Sequence, residues 1–225
     1  MDAPAARTDL YGDAVFTRHT LVVIDFEGLT PQGRPLVPVE VGVCAVKASG
    51  GDLAEMWRFE SLMAPPAGVA VTPWDVRQTG ITDAMLATAP PAEQVMAALD
   101  DRLTTPPYRL VAHHAATEAA LIAGLRSWCP RLAAVPLLDT VRLARHLYPR
   151  LPSHSLDTLL AHLGIPCPAG RHRALPDAEV TARLLRRLLA EGGRTRWRSL
   201  YDLDAIGGLA PKRPPHRPSE QPGLF

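Results

Sequence analysis

A chain of 225 residues can form one well-packed domain, and a second full-sized domain would be cramped. A hydrophobic content of 47% and a charged content of 21% are typical of soluble globular proteins, and a net charge of +1 excludes a bulk polycation. Three cysteines without C-x-x-C spacing argue against both a disulfide framework and a zinc site. No apolar run approaches a membrane span and no signal peptide is recognisable, so we expect a reduced, cytoplasmic protein.

The first half of the chain predicts an antiparallel meander followed by a helix. Residues 19–25 form an apolar run typical of a buried strand, residues 39–46 predict a second strand, and residues 56–62 a third. The loop GLTPQGRP separates the first two strands. Residues 92–103 then carry apolar side chains at helical spacing, which predicts an amphipathic helix.

Strands and helices alternate in the second half. Residues 108–113 predict a short strand that leads into a helix, and Leu137–Asp139 predicts another short strand. A helix that begins near Leu156 ends at Gly164, and a last core helix carries apolar residues from Val180 to Leu189. A meander followed by alternating elements favours the α/β class, with a mixed sheet flanked by helices.

The domain organisation follows from composition. Residues 1–18 are predicted to be an N-terminal extension, and residues 19–205 the folded domain. Residues 206–225 are predicted to be a disordered tail, because from residue 211 onward the sequence PKRPPHRPSEQPGLF has five prolines and little to bury.

Four carboxylates and one histidine are the candidate functional residues. Asp25 and Glu27 end the first strand two residues apart, so both point to one face, where they must either stay protonated or share a cation. Glu118 and Asp177 are placed near helix starts, where acidic residues are favoured by the helix dipole alone. His172 is placed in a loop. Each residue taken alone also has an ordinary structural explanation. The indication of a functional site comes from the order of all five residues along the chain.

The motifs resemble those of the DEDDh-type 3′–5′ exonucleases, the family of the proofreading epsilon subunit of bacterial DNA polymerase III. The D-x-E pair matches Asp25 and Glu27, and EVGV at residues 40–43 matches the second-strand glutamate followed by glycine. TGITDAML, VAHHAATEAAL, LLDTVRLARHLYP and HSLDTLLAHLGI follow in the family's order, and HRALPDA supplies His172 and Asp177. The resemblance covers residues 19–189 and implies a ribonuclease-H-like fold.

One position departs from the family pattern. Glu118 stands where the family has aspartate, which keeps the charge and adds one methylene. A misplacement of about 1 Å at a reacting centre can cost ~10²-fold in rate. This departure affects the expected rate more than the existence of the site.

The resemblance implies hydrolysis of a phosphodiester with two divalent cations, Mg²⁺ or Mn²⁺, held roughly 3.5–4 Å apart. Asp25 would bridge both cations, Glu27 and Asp177 would complete the nucleophile-side site, and Glu118 would support the other cation. His172 would take a proton from the attacking water, as histidine does near neutral pH. The product would be a nucleoside 5′-monophosphate from the 3′ end of a single-stranded or frayed nucleic acid, with DNA in replication or repair as the expected substrate.

Two alternatives remain open from the sequence. The glutamate at position 118 could mark a weakened exonuclease that serves as a nucleic-acid-binding or clamp-associated module. The same carboxylates could instead belong to a metal-dependent RNA exonuclease or to another phosphate hydrolase.

Two further segments predict partner contacts. Arg194, Arg196 and Arg198 form a basic stretch that could guide a single strand, or could be an ordinary solvated surface. The final five residues, QPGLF, resemble the Q-x-x-L-F peptide by which bacterial replication proteins dock on the DNA polymerase sliding clamp. The residues that carry this resemblance are Gln221, Leu224 and Phe225.

Overall fold

The computed structural model describes residues 9–33, 35–168, 170–193 and 195–212. Within these residues the fold is built on one six-stranded mixed sheet with the strand order β3-β2-β1-β4-β5-β6. The strands are β1 (Thr20–Leu29), β2 (Val37–Ser49), β3 (Asp52–Leu62), β4 (Tyr108–Ala112), β5 (Leu137–Asp139) and β6 (Gly208–Leu209). The first three strands are antiparallel, β4 runs parallel to β1, and β5 runs parallel to β4.

Helices cover both faces of the sheet, and two single turns of 3₁₀-helix lie at Leu10–Gly12 and Leu132–Ala134. The α-helices are α1 (Ala14–Arg18), α2 (Pro73–Thr79), α3 (Asp83–Leu86), α4 (Ala92–Asp100), α5 (Ala115–Gly124), α6 (Thr140–Leu147), α7 (Leu156–Leu163), α8 (Ala174–Gly192) and α9 (Leu200–Gly207). One buried cluster joins α6, α7, α8 and α9 to the sheet, and a second joins α4 and α5 to the other face. No helix among the described residues has both the length and the apolar character needed to cross a membrane.

The predicted mixed sheet with flanking helices is confirmed, although the meander strands are longer than expected. β1 continues through Glu27 to Leu29, because a bulge after Glu27 keeps it paired with β2 beyond the carboxylates. β2 and β3 are joined by the two-residue loop Gly50–Gly51, in which both φ angles are positive, at 59° and 90°. Such a loop fits a type I′ hairpin turn, which requires residues that tolerate this conformation.

Structural elements extend beyond the predicted domain bounds at both ends. Residue 205 lies inside α9, and β6 follows it and pairs with β5, so the described fold continues past the predicted end of the domain. A two-residue strand is too short to show a period of two, so it cannot be predicted from the alternation of apolar and polar residues. At the other end, the N-terminal segment buries Leu10 and Phe16 in the α8-side core. Asp13 fixes this segment by capping α1 and by accepting a hydrogen bond from the backbone of Leu200 at 2.8 Å.

A carboxylate cluster at the strand ends

Two of the predicted carboxylates lie on one face of β1, as its alternation requires. Val22, Ile24 and Phe26 belong to the buried cluster on the α4–α5 face, whereas Leu21 and Val23 belong to the cluster on the α8 face. Asp25 and Glu27 continue the second series and therefore point toward α8. They lie at the end of β1 where the parallel strands β4 and β5 also end, so the loops after those strands converge there.

The N-terminus of α8 brings the second half of the motif onto β1. Gly42, paired with Asp25 on β2, allows this approach: a Cβ at Gly42 would lie 2.1 Å from the backbone nitrogen of Leu175. The close packing places Asp177, in the first turn of α8, beside Glu27. Ligand atoms of Glu27, His172 and Asp177 all lie within 4.8 Å of one another. The predicted grouping of these three residues is therefore present in the structure.

His172 lies on the loop immediately before α8. Its φ of 63° is in the left-handed region, and its backbone N–H donates to Asp177 Oδ2 at 3.3 Å. The imidazole is exposed, while Asp177 is buried. The side chain is therefore held next to the carboxylates and remains accessible to water and substrate.

Glu118 approaches from the opposite side of the sheet. It lies in the first turn of α5, which begins after His114, a residue whose φ of 66° turns the chain sharply out of β4. Glu118 is only 5% exposed, and its Oε2 has no hydrogen-bond partner within the described part of the chain. Its negative charge has the largest electrostatic effect of any residue on Asp25. Asp25, Glu27, Glu118 and Asp177 thus form one carboxylate cluster.

The cluster is protonated more readily than isolated carboxyl groups. Burial, followed by the charges of Glu118, Glu27 and Asp177, raises the pKa of Asp25 well above its usual range. Burial and the charge of Asp177 raise the pKa of Glu27 to about 7. Burial, followed by the charge of Asp139, raises the pKa of Glu118 to about 8. Each shift reports unfavourable negative charge, which a bound cation would relieve.

The residues of the cluster fit a divalent cation. Asp177 Oδ1 and Glu118 Oε2 are buried and make no hydrogen bond among the described residues. Buried carboxylate oxygens are normally hydrogen-bonded, and those that are not call for a missing partner. Hard cations such as Mg²⁺ and Mn²⁺ prefer carboxylate oxygens as ligands. Asp25, Glu27, Glu118 and Asp177 are the residues that would hold such ions.

Arg171 is a member of the site that the sequence analysis missed. Its guanidinium forms an ion pair with Asp177 and donates from Nε to Asp157 Oδ1 at 2.9 Å. One arginine can offset only one of the four charges of the cluster, so the attraction for further cations remains. The sequence offered one clue, the position of Arg171 next to His172, but no local periodicity distinguishes it from other arginines.

An ion pair between the buried Glu40 and the partly exposed Arg173 holds the loop that carries His172. Glu40 is fully buried on β2, and both of its carboxylate oxygens accept from Arg173 Nε at 3.0 Å. The backbone N–H of Ala174 donates to the same carboxylate at 2.9 Å. Glu40 therefore fixes the first residues of α8, with His172 on one side of the contact and Asp177 on the other.

The predicted arginine surface lies far from the cluster. Arg196 and Arg198 are exposed in the segment between α8 and α9. The segment of α8 from Asp177 to Gly192 spans roughly 22 Å, so these arginines lie beyond the opposite end of the helix. Arg194, Gln221, Leu224 and Phe225 lie outside the described residues.

Comparison with known proteins identifies the family. The sequence profile of the exonuclease family (RNase T) matches residues 22–185. The chain belongs to this family. It is 32% identical over 178 residues to the PolC-type DNA polymerase III of Bacillus cereus, covering 79% of this chain and 12% of that protein. It is 33% identical over 173 residues to a DNA polymerase III subunit epsilon-like protein of Rhodobacter capsulatus, covering 76% of this chain and 24% of that protein.

Solved structures agree with the family membership. Exonuclease X in complex with 5′ overhanging duplex DNA superposes with a TM-score of 0.60 at 26% identity, over 83% of this chain and 99% of that one. The nuclease domain of 3′hExo, a DEDDh family member bound to rAMP, superposes with a TM-score of 0.65 at 20% identity, over 80% and 96%. The predicted ribonuclease-H-like fold and the predicted family are both confirmed. The chain nevertheless spans only about an eighth of the PolC relative and about a quarter of the epsilon-like one.

Proposed function

We propose that this chain is a metal-dependent 3′–5′ exonuclease that releases nucleoside 5′-monophosphates from the 3′ ends of single-stranded or frayed DNA. The observation that supports it best is the carboxylate cluster, in which Asp25, Glu27, Glu118 and Asp177 converge beside His172. Family membership supports hydrolysis of a nucleic acid. DNA is favoured over RNA because the curated relatives are DNA polymerase III proteins.

Two divalent cations, Mg²⁺ or Mn²⁺, would supply charge stabilisation at the attacking and leaving oxygens when bound. Asp25 holds the centre of the cluster, with Glu27 and Asp177 on the α8 side and Glu118 on the α5 side. His172 is exposed on its loop, so its imidazole can accept a proton from a water molecule that enters beside Glu27 and Asp177. The Glu40–Arg173 pair keeps this loop in place.

The direct test uses a 20-nucleotide single strand labelled at its 5′ end, as DNA and as RNA, with Mg²⁺, Mn²⁺ or EDTA. We expect a ladder of shortened DNA products with either cation, release of mononucleotides, and no hydrolysis in EDTA. Asp177→Asn is the matched control, since it keeps the size of the side chain and removes the charge. Rapid hydrolysis of RNA while DNA stays intact would identify RNA as the substrate. Binding of the strand without hydrolysis would favour the alternative of a weakened enzyme.

We also propose that Gln221, Leu224 and Phe225 dock on the DNA polymerase sliding clamp. The support is the match of QPGLF to the clamp-binding pattern, in a proline-rich segment that has two large apolar residues and little core of its own. A tether would help because a chain of net charge +1 attracts DNA weakly, and the clamp raises the local concentration of 3′ ends. Fluorescence anisotropy with purified clamp should show binding by the intact chain and none by a chain ending at Glu220. Equal binding of the two proteins, or binding by neither, would refute the proposal.

A further inference from the structure

The short helix α2 is anchored to Thr30, the residue that follows β1. Asp75 is 1% exposed and accepts hydrogen bonds from the backbone N–H of Thr72 at 2.8 Å and from the backbone N–H and hydroxyl of Thr30 at 3.3 Å. Thr30 directly follows β1, three residues after Glu27, which corresponds to about 10 Å of extended chain. Because α2 is tied to the residue that follows β1, its exposed face has a fixed position relative to the strand that carries Asp25 and Glu27.

That exposed face combines an aromatic ring with a positive charge. Trp74 is 51% exposed, and Arg77 and Gln78 are exposed three and four residues later. This spacing places the three side chains on one side of the helix, while Asp75 and Thr79 face inward. Arg77 forms no ion pair or side-chain hydrogen bond with any described residue. Its charge is therefore available to a ligand.

We propose that Trp74 and Arg77 form a binding subsite for single-stranded DNA near its 3′ end. The indole would stack on a base and the guanidinium would pair with a phosphate, the combination by which proteins bind single strands without sequence preference. Charge complementarity favours this ligand, because Arg77, which forms no ion pair with a described residue, supplies a cation for a phosphate backbone that the carboxylate cluster would repel. The subsite rests on the proposed function for its substrate, and its test is binding without turnover.

Fluorescence anisotropy with a labelled 12-nucleotide oligothymidylate measures this contact directly. The titration is made in Ca²⁺ with the full chain, and the oligonucleotide is checked for integrity afterwards. Loss of one base stack should weaken binding on the order of 10- to 100-fold in Trp74→Ala, with a smaller loss in Trp74→Phe, which keeps an aromatic ring. Arg77→Gln should weaken binding and lower the slope of log affinity against log salt by about 0.7.

Trp128 provides the matched control. It is 38% exposed, and it follows the C-terminal end of α5, whereas Glu118 lies in the first turn of that helix. Trp128→Ala should bind like the wild type. Circular dichroism and thermal melting check the fold of each variant, and Arg77→Glu tests the same subsite if Trp74→Ala does not fold. The proposal is overturned if Trp74→Ala and Arg77→Gln bind like Trp128→Ala. Wild-type protein that binds the strand in Ca²⁺ but hydrolyses nothing in Mg²⁺ or Mn²⁺ would contradict the proposed function and leave the subsite standing.

Discussion

Removing metal should make the stability of this protein depend on pH in an unusual direction. In the metal-free fold, burial raises the pKa of Glu118 from 4.5 to about 8. The folded state therefore holds a proton that the unfolded state loses near pH 4.5, so the free energy of unfolding falls as pH rises between these values. A pKa difference of about 3.5 at 1.36 kcal/mol per unit corresponds to at most about 5 kcal/mol for this one carboxyl group. Glu27, with a pKa of about 7, adds to the same slope.

Urea unfolding in EDTA at intervals from pH 5 to pH 8.5 measures this effect, with Glu118→Gln as the informative variant. The amide keeps the shape of the side chain and cannot ionise, so the variant should match the wild type near pH 5 and exceed it by several kcal/mol at pH 8. Glu93→Gln, at an exposed position of α4, is the matched control and should follow the wild type throughout. Mn²⁺ should stabilise the wild type more than Glu118→Gln at pH 8.

Two results would refute this reasoning. A free energy of unfolding of the wild type in EDTA that stays level or rises between pH 5 and pH 8 would show that the fold does not raise the pKa values of these carboxyl groups. A Glu118→Gln curve that runs parallel to the wild-type curve would show that burial does not raise the pKa of Glu118. Either result would also remove the electrostatic argument for a cation at this position.

Three other substitutions test the site and its support. His172→Ala should lower kcat on the order of 10²- to 10⁴-fold while Mn²⁺ still binds in calorimetry; an unchanged rate across neutral pH would exclude it as the base. Glu118→Asp should hold or raise kcat in the oligonucleotide assay, and a collapse would mean that the backbone is adapted to glutamate. Arg173→Ala leaves the buried Glu40 without its cationic partner and should lower the free energy of unfolding in urea by about 3–5 kcal/mol. A decrease below about 1 kcal/mol would argue that this ion pair does not hold the loop.

Local sequence patterns predicted the parts of the structure that depend on local periodicity. The alternation along β1 correctly places Asp25 and Glu27 on one face, because every second residue of a strand shares a side. The leucine stripe of α7 and its stop at Gly164 are confirmed, with Gly164 in the left-handed conformation at a φ of 62°. In both cases the deciding interactions join residues only a few positions apart.

The contacts that complete the site could not be predicted from local periodicity in the sequence. Glu40 and Arg173 are separated by 133 residues, and the motif that contains Glu40 does not identify Arg173 as its partner. Arg171 meets Asp177 only because the chain turns at His172 in a left-handed conformation. Such partners depend on which strand α8 packs against, and that depends on Gly42 and on the order of strands in the sheet.

The position of Glu118 bears on its departure from the family pattern. Its helix, α5, packs on the face of the sheet opposite α8, so the side chain must reach over the strand ends to meet Asp25. Its charge affects Asp25 more strongly than the charges of Glu27 and Asp177 do, although Glu27 is on the same strand. The longer side chain therefore lies close enough for its charge to act on Asp25. Its buried Oε2 makes no hydrogen bond with a described residue and is a carboxylate oxygen that can serve as a ligand. The extra methylene has not removed the fourth carboxylate from the site, which favours an active exonuclease over a module that only binds nucleic acid.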